Sequence, residues 1–220
     1  MLMLRRAHQL LELDGQFVAM AVSLAQGTEA EVRVAVDEIY PDDGLASALQ
    51  AFSLEYPNTR VELMETVLSG GPEKLLAGEA DLLVAGEVPQ GFLGELIMLA
   101  EFIAVAHPDH PLHQLGRLID LQDPVQHRQI VVRDSALGTR ADAGWLGAEQ
   151  RWTVSHVSTS VDMISRGMGF AWLPATRVAA ALARGAMAEL RLAQGSRRES
   201  ALYLTFADRD VAGPAACRLG

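Results

Sequence analysis

EVRVAVDEIYPDDGLASALQAFSLEYPNTRVELMETVLSGGPEKLLAGEADLLVA, residues 31–85, is the stretch whose pattern sets the fold class. It opens with EVRVAV (31–36), a short apolar run that reads as a strand. Leu45, Ala48, Leu49 and Phe52 then share one helical face, and that helix stops before Pro57, whose ring disfavours helical geometry in the residue ahead of it. RVELMET (60–66) returns to strand. Glu73–Ala77 makes a short helix closed by Gly78, and DLLVA (81–85) is a third strand. Five elements, β-α-β-α-β, within 55 residues predict a parallel sheet with crossover helices, a compact doubly wound lobe.

Upstream, Leu10, Leu13, Phe17, Met20 and Leu24 recur at alternating steps of three and four, the seam of a coiled coil or amphipathic helix that ends near Gly27. These five residues are the expected self-association surface, because the stripe would otherwise face water. Downstream, LIMLAEFIAVAHP (96–108) is long enough to carry the chain from one lobe into another. IVV (130–132), WTVSH (152–156) and GFAWL (169–173) read as strands, with helices at Ser160–Arg166 and Pro174–Arg184 ended by Gly167 and Gly185. AELRL (188–192) and ALYLTF (201–206) follow as strands, and the second returns the chain to the first lobe. The expected division is a linker helix at 1–27, a first lobe of 31–102 with 206–220, and a second lobe of 103–205; two crossings make a hinge.

Composition narrows the function. The chain has 220 residues with 18 Lys+Arg against 28 Asp+Glu, a net charge of −10 that repels polyphosphate unless the basic residues gather. They do not: the dense basic spots are the pairs Arg5-Arg6 and Arg197-Arg198, which read as solvated surface. A single cysteine, Cys217, excludes an internal disulfide framework and a multi-thiolate metal site, and fits a reducing cytoplasm. The N-terminus meets Arg5, Arg6, Glu12 and Asp14 too early for a secretory signal, and no apolar run is long enough to span a membrane. His107, His110 and His113 are interleaved with prolines in a loop without metal-ligand spacing, so no metal and no cofactor is expected. No nucleophile elbow, Walker loop or GxGxxG stands in the right context, which disfavours an enzyme.

Two features offer ligand chemistry. Asp37 and Glu38 end the first strand, where α/β sheets place ligand contacts, although a solvated turn before Pro41 explains them equally well. Ser158, Thr159 and Ser160 precede an apolar helix, with Thr159 and Asp162 at capping-box spacing; plain capping leads, and the amides of a helix start also bind anions. Trp145, Trp172 and Trp152 read as packing residues, with a stacking role in a pocket as the minor reading.

In order and spacing, LLAGEADLLVA (75–85), HPDHPL (107–112) and GMGFAWLP (167–174) resemble the LysR-type transcriptional regulators over nearly the whole chain, from about Leu10 to Phe206. The resemblance implies an α/β fold of two Rossmann-like lobes joined by two hinge strands, of the periplasmic binding protein type 2 kind, preceded by a linker helix. It implies a small-molecule effector in the interlobe cleft, self-association into dimers or tetramers, and DNA contact only through an N-terminal winged helix-turn-helix, which does not precede Met1 here. Thr66 and Ser69 fall near the family's contacts in the first lobe, and Arg133, Asp134, Ser135 and Thr139 near those of the second. Two departures stand out. Asp37 and Glu38 occupy positions where the family often has Ser or Thr, so an amine or zwitterion is expected, touching Asp37 or Glu38 from one lobe and Ser135 or Thr159 from the other. The chain also ends at Gly220, where the family usually has a further C-terminal helix. The alternative is a stand-alone solute receptor of the same fold, which should carry an export signal and lack the heptad helix.

Overall fold

The computed structural model describes Ala25 and residues 27–220; the seam residues Leu10, Leu13, Phe17, Met20 and Leu24 lie outside the described residues. The first half follows the predicted order: β1 (Glu31–Asp37), α1 (Asp42–Glu55), β2 (Arg60–Thr66), α2 (Gly70–Leu76) and β3 (Leu82–Ala85). β1 lies between β2 and β3 and is parallel to both. Its apolar residues serve both faces. Val32, Val34 and Val36 pack with Phe52, Leu82 and Val84 on one side, and Ala35 packs with Leu75 and Leu83 on the other. Burial on two faces is why this strand reads as a continuous apolar run.

β4 (Gly94–Ala106) is the long strand expected from the sequence, followed by β5 (Arg128–Val132), β6 (Gln150–Val154), α3 (Val157–Ser165), β7 (Phe170–Pro174), α4 (Ala175–Ala183), β8 (Ala188–Glu189), β9 (Arg197–Phe206) and α5 (Pro214–Leu219). The sheet order is β2-β1-β3-β9-β4-β7-β5-β6, with β8 on β4. β9 pairs antiparallel with β3 through Tyr203–Phe206 and with β4 from Arg197 to Thr205. β4 in turn pairs with β7 through Phe102–Ala106. These two adjacent strands carry the chain between two separately packed halves. The second half has its own core of Ile103, Val105, Ile130, Ile164 and Leu173.

Two expectations are corrected. AELRL is strand only at Ala188–Glu189, because Leu192 forms a single bridge to Ile119 instead of continuing a ladder. The C-terminal residues do form a helix, α5. Glu29 accepts hydrogen bonds from the Ala215 and Ala216 amides at its start, and Arg218 forks onto the Glu55 carboxylate of α1 at 2.8–2.9 Å.

Candidate functional site

Between the two halves, against β4 and β9, lies a cavity of about 360 Å³, within the ~300–1,000 Å³ usual for small-molecule sites. Asp37 and Ser69 line it from one side, Trp145 and Trp172 from the other, and Phe102 and Arg198 from the two crossing strands.

The rim of this cleft is built from carboxylates that find donors within the chain. Asp37, at the end of β1, accepts hydrogen bonds from the amides of Ile39 and Leu68, each at 3.0 Å. Holding that second amide fits the left-handed conformation of Leu68, φ 52°. Burial pushes the Asp37 carboxyl up to about 6 against the pull of these two amides, and the neighbouring Glu38 and Asp134 charges add to the rise. Glu38 reaches across the cleft. One oxygen stands 2.6 Å from His156 Nδ1 and the other accepts from the Val157 amide at 2.6 Å. Its backbone carbonyl accepts from Arg177 Nε at 2.8 Å, and the same guanidinium pairs with Asp42.

The predicted helix start is therefore displaced. α3 begins at Val157 with His156 as N-cap and no side-chain cap, so the Thr159/Asp162 capping box is not used. The anion that answers the exposed amide of Val157 is Glu38, supplied from the opposite half of the molecule. The sequence reading identified both groups but did not join them.

Two further bridges close the rim. Ser135 meets Val67 three times: its hydroxyl accepts from the Val67 amide at 2.9 Å and donates to the Val67 carbonyl at 3.2 Å, and its amide donates to that carbonyl at 3.1 Å. A side chain at Gly70 would collide with the Ser135 hydroxyl. Glu73 in α2 accepts from the Leu137 and Gly138 amides at 2.7 and 3.0 Å. Burial opposes ionisation of Asp134, but the amides of Ala141 and Ala136 and hydrogen bonds from Ser69 outweigh it and hold the carboxyl below its usual range.

Of the residues singled out from sequence, Asp37 and Ser69 line the cavity, while Glu38 and Ser135 are engaged across its rim. Thr66 is buried at the end of β2 with its hydroxyl unpartnered. Ser158 lines a separate hollow beside Arg177 and Asp42, and Arg133, Thr139 and Thr159 are exposed and line neither space. The sequence reading missed Phe102, Gln129, Arg198 and Ser200 as cavity residues and gave Trp145 and Trp172 mainly to packing. The Arg197-Arg198 pair, taken as solvated surface, is half that. Arg197 pairs on the surface with Glu189 and Glu101, whereas Arg198 turns inward onto the Phe102 ring, 4.7 Å from its centroid. Period-two alternation in the strand was the available signal, since it sends neighbours to opposite faces.

Two α/β halves, two adjacent crossing strands and a cavity between them define a two-lobed ligand-binding domain. The chain belongs to the LysR substrate binding domain family, whose model matches residues 25–219. It is 30% identical over 200 residues to the HTH-type transcriptional regulator YeeY of Escherichia coli K12, covering 87% of this chain and 63% of that protein. It thus spans less than two thirds of that relative's length. The regulatory domain of MetR, a LysR family regulator from Neisseria meningitidis, shares its fold with a TM-score of 0.63 at 19% identity, covering 86% of this chain and 91% of that one. The CcmR regulatory domain of Synechocystis PCC6803, solved in complex with 2-PG, aligns with a TM-score of 0.62 at 18% identity, covering 80% and 86%. The family is one of transcriptional regulators, and this chain is its effector-binding domain.

Proposed function

We propose that the cavity between β1 and α3 takes a small metabolite, and that its occupancy sets how firmly the two lobes hold together. In the whole regulator the DNA is then contacted by an N-terminal domain and not by this chain, whose net charge is −10. The lobes are assigned as 31–102 with 206–220 and 103–205, and self-association is assigned to the seam of residues 1–27. The place of work is the cytoplasm, and no helix among the described residues is long and apolar enough to cross a membrane. Asp37 and Ser69 are carried forward as cavity contacts; Glu38, Ser135 and Glu73 are assigned to holding the lobes together.

The observation that carries this reading is the coincidence of a cavity of ligand size with a rim closed between the lobes by hydrogen bonds between residues 64 to 139 positions apart. A ligand touching both lobes adds to those bonds, and binding to the folded state alone stabilises it by ~2.7 kcal/mol at a hundredfold excess over Kd. A thermal-shift screen of metabolites tests this, with Ser200→Trp filling the cavity. Hits should shift the wild-type melting temperature and lose the shift in Ser200→Trp. Hits that persist in the filled variant place the ligand elsewhere and overturn the reading.

A further inference from the structure

Arg198 stands on the floor of the cleft, where its partner across the β4–β9 ladder is Phe102. Its guanidinium lies on the Phe102 ring and against the loop at Gly144, where any side chain would collide with it. Among the described residues it makes no ion pair, its Nε is buried without an acceptor, and burial alone acts on its pKa, drawing it down. Glu199 and Glu87 also line the cavity, but both are exposed to water and neither pairs with Arg198, and Asp37 is bound to two amides. Ser200 lies two residues on, on the same face, and also lines the cavity. Around these two donors the walls are aromatic, with the Trp145 and Trp172 rings 5.6 Å apart. Gln129 completes the lining: its Nε2 donates to the Trp145 carbonyl at 2.7 Å, which leaves its buried Oε1 without a donor.

A guanidinium half-withdrawn from water without a counter-charge is costly, and such groups are retained where something else supplies the charge. The carboxylates first expected to face a ligand are already satisfied within the protein, and the other acids of the lining, Glu87 and Glu199, are exposed to water, so the unmet buried demand in the cleft is for an anion, not an amine. We infer that the cleft selects a small carboxylate with a flat, apolar, hydroxyl-bearing body, its carboxylate on Arg198 and Ser200, its body against Phe102, Trp145 and Trp172, and its hydroxyl on Gln129. This rests on the cleft being the ligand site. It replaces the amine or zwitterion expected from Asp37 and Glu38.

Titration calorimetry on the full chain tests it, with benzoate and the three hydroxybenzoates as probes, benzamide as the neutral isostere and benzylamine as the cation. The carboxylates are expected to saturate and the amide and amine not to. Arg198→Gln should weaken the carboxylates by about 10- to 100-fold, the loss of a charge-assisted fork, while the exposed Arg151→Gln leaves them unchanged. Benzamide or benzylamine binding as well as benzoate overturns the inference. So does benzoate affinity surviving Arg198→Gln, or no carboxylate saturating at all. Should Arg198→Gln fail to fold, Arg198→Lys and Ser200→Ala take its place, and unchanged benzoate affinity in both overturns the assignment. The hydroxyl part is separable: the best hydroxybenzoate should bind more tightly than benzoate, and Gln129→Leu should erase that preference; equal affinities in the wild type overturn that part. The cleft reading fails on a different result, persistence of screening hits in Ser200→Trp.

Discussion

At the rim of the cleft Asp37, Glu38 and Glu73 each hold two donors supplied by the protein itself, whereas on the floor the guanidinium of Arg198 and the carbonyl oxygen of Gln129 hold none for their buried atoms. Both regions are polar and both lie between the lobes. The difference is between charge already answered inside the protein, by Glu38 and Glu73 across the two halves and by Asp37 within one of them, and charge kept ready for something outside it. An acidic pair at a strand end looks like a ligand site in sequence, but here each carboxylate is held by donors of the protein itself, and Glu38 acts as a fastening between the lobes. The ligand demand is read better from the polar atoms that remain unmet.

The comparison extends to pH, where the largest effect is expected. Asp37 and His110 are buried in different lobes and titrate against each other. Asp37 has a folded pKa of about 6 against an ordinary 3.8, so the stability linked to its protonated form is present at low pH and is lost as pH rises from about 4 to about 6, by about 3 kcal/mol. His110 is pushed down to about 4 by burial and by the neighbouring His127 and His113; its Nδ1 accepts from the Leu112 amide at 3.3 Å. Its neutral form is favoured in the fold, so its contribution is lost as pH falls from about 6.5 to about 4. The two slopes oppose over the same window. Urea unfolding between pH 4 and 7 should give a shallow profile for the wild type, a loss of stability toward acid for Asp37→Asn, and a loss toward neutrality for His110→Asn. Parallel profiles for the two variants break the comparison.

Next in size is a difference of sign between rim and floor. Glu38→Ala removes the acceptor of the Val157 amide and the partner of His156, and should cost about 2 kcal/mol, as for other charge-assisted hydrogen bonds. Arg198→Met removes a desolvated charge without a partner and keeps the apolar stem on Phe102, so stability should hold or rise by up to about 1 kcal/mol. Chemical denaturation of both variants decides it. A comparable loss in Arg198→Met means the floor cation is structural, like the rim carboxylates.

The smallest effect belongs to Glu73, whose bonds to the Leu137 and Gly138 amides are exposed. Glu73→Gln should cost only about 0.5 kcal/mol globally. Hydrogen exchange at those two amides should nevertheless speed up by about tenfold, because a local opening releases them without unfolding the lobes. Unchanged exchange there means that the loop is held by Ser135 alone.

The order of elements was legible because strand and helix periods are local: the β-α-β-α-β run of 31–85 and the helix ends at Gly78, Gly167 and Gly185, all left-handed, follow from residues a few positions apart. The site was legible only in part. Asp37 and Ser69 reached the cavity because strand ends in such sheets face ligands. Glu38 was recognised as an acid at a strand end, but its partners His156 and Val157 are 118 and 119 residues away, and no spacing rule links them. Arg198 was hidden by its neighbour, since a basic pair reads as surface until the strand is known to cross the cleft.

The alternation of strands and helices, the long crossing strand and the family can be read from the chain alone, because each depends on side-chain periodicity or on the order of short segments. Which acids are satisfied and which cation is not follows from the packing of the two lobes. That outcome depends on amides and carboxylates brought to within about 3 Å from distant parts of the chain, and the geometry exists only once both lobes have packed.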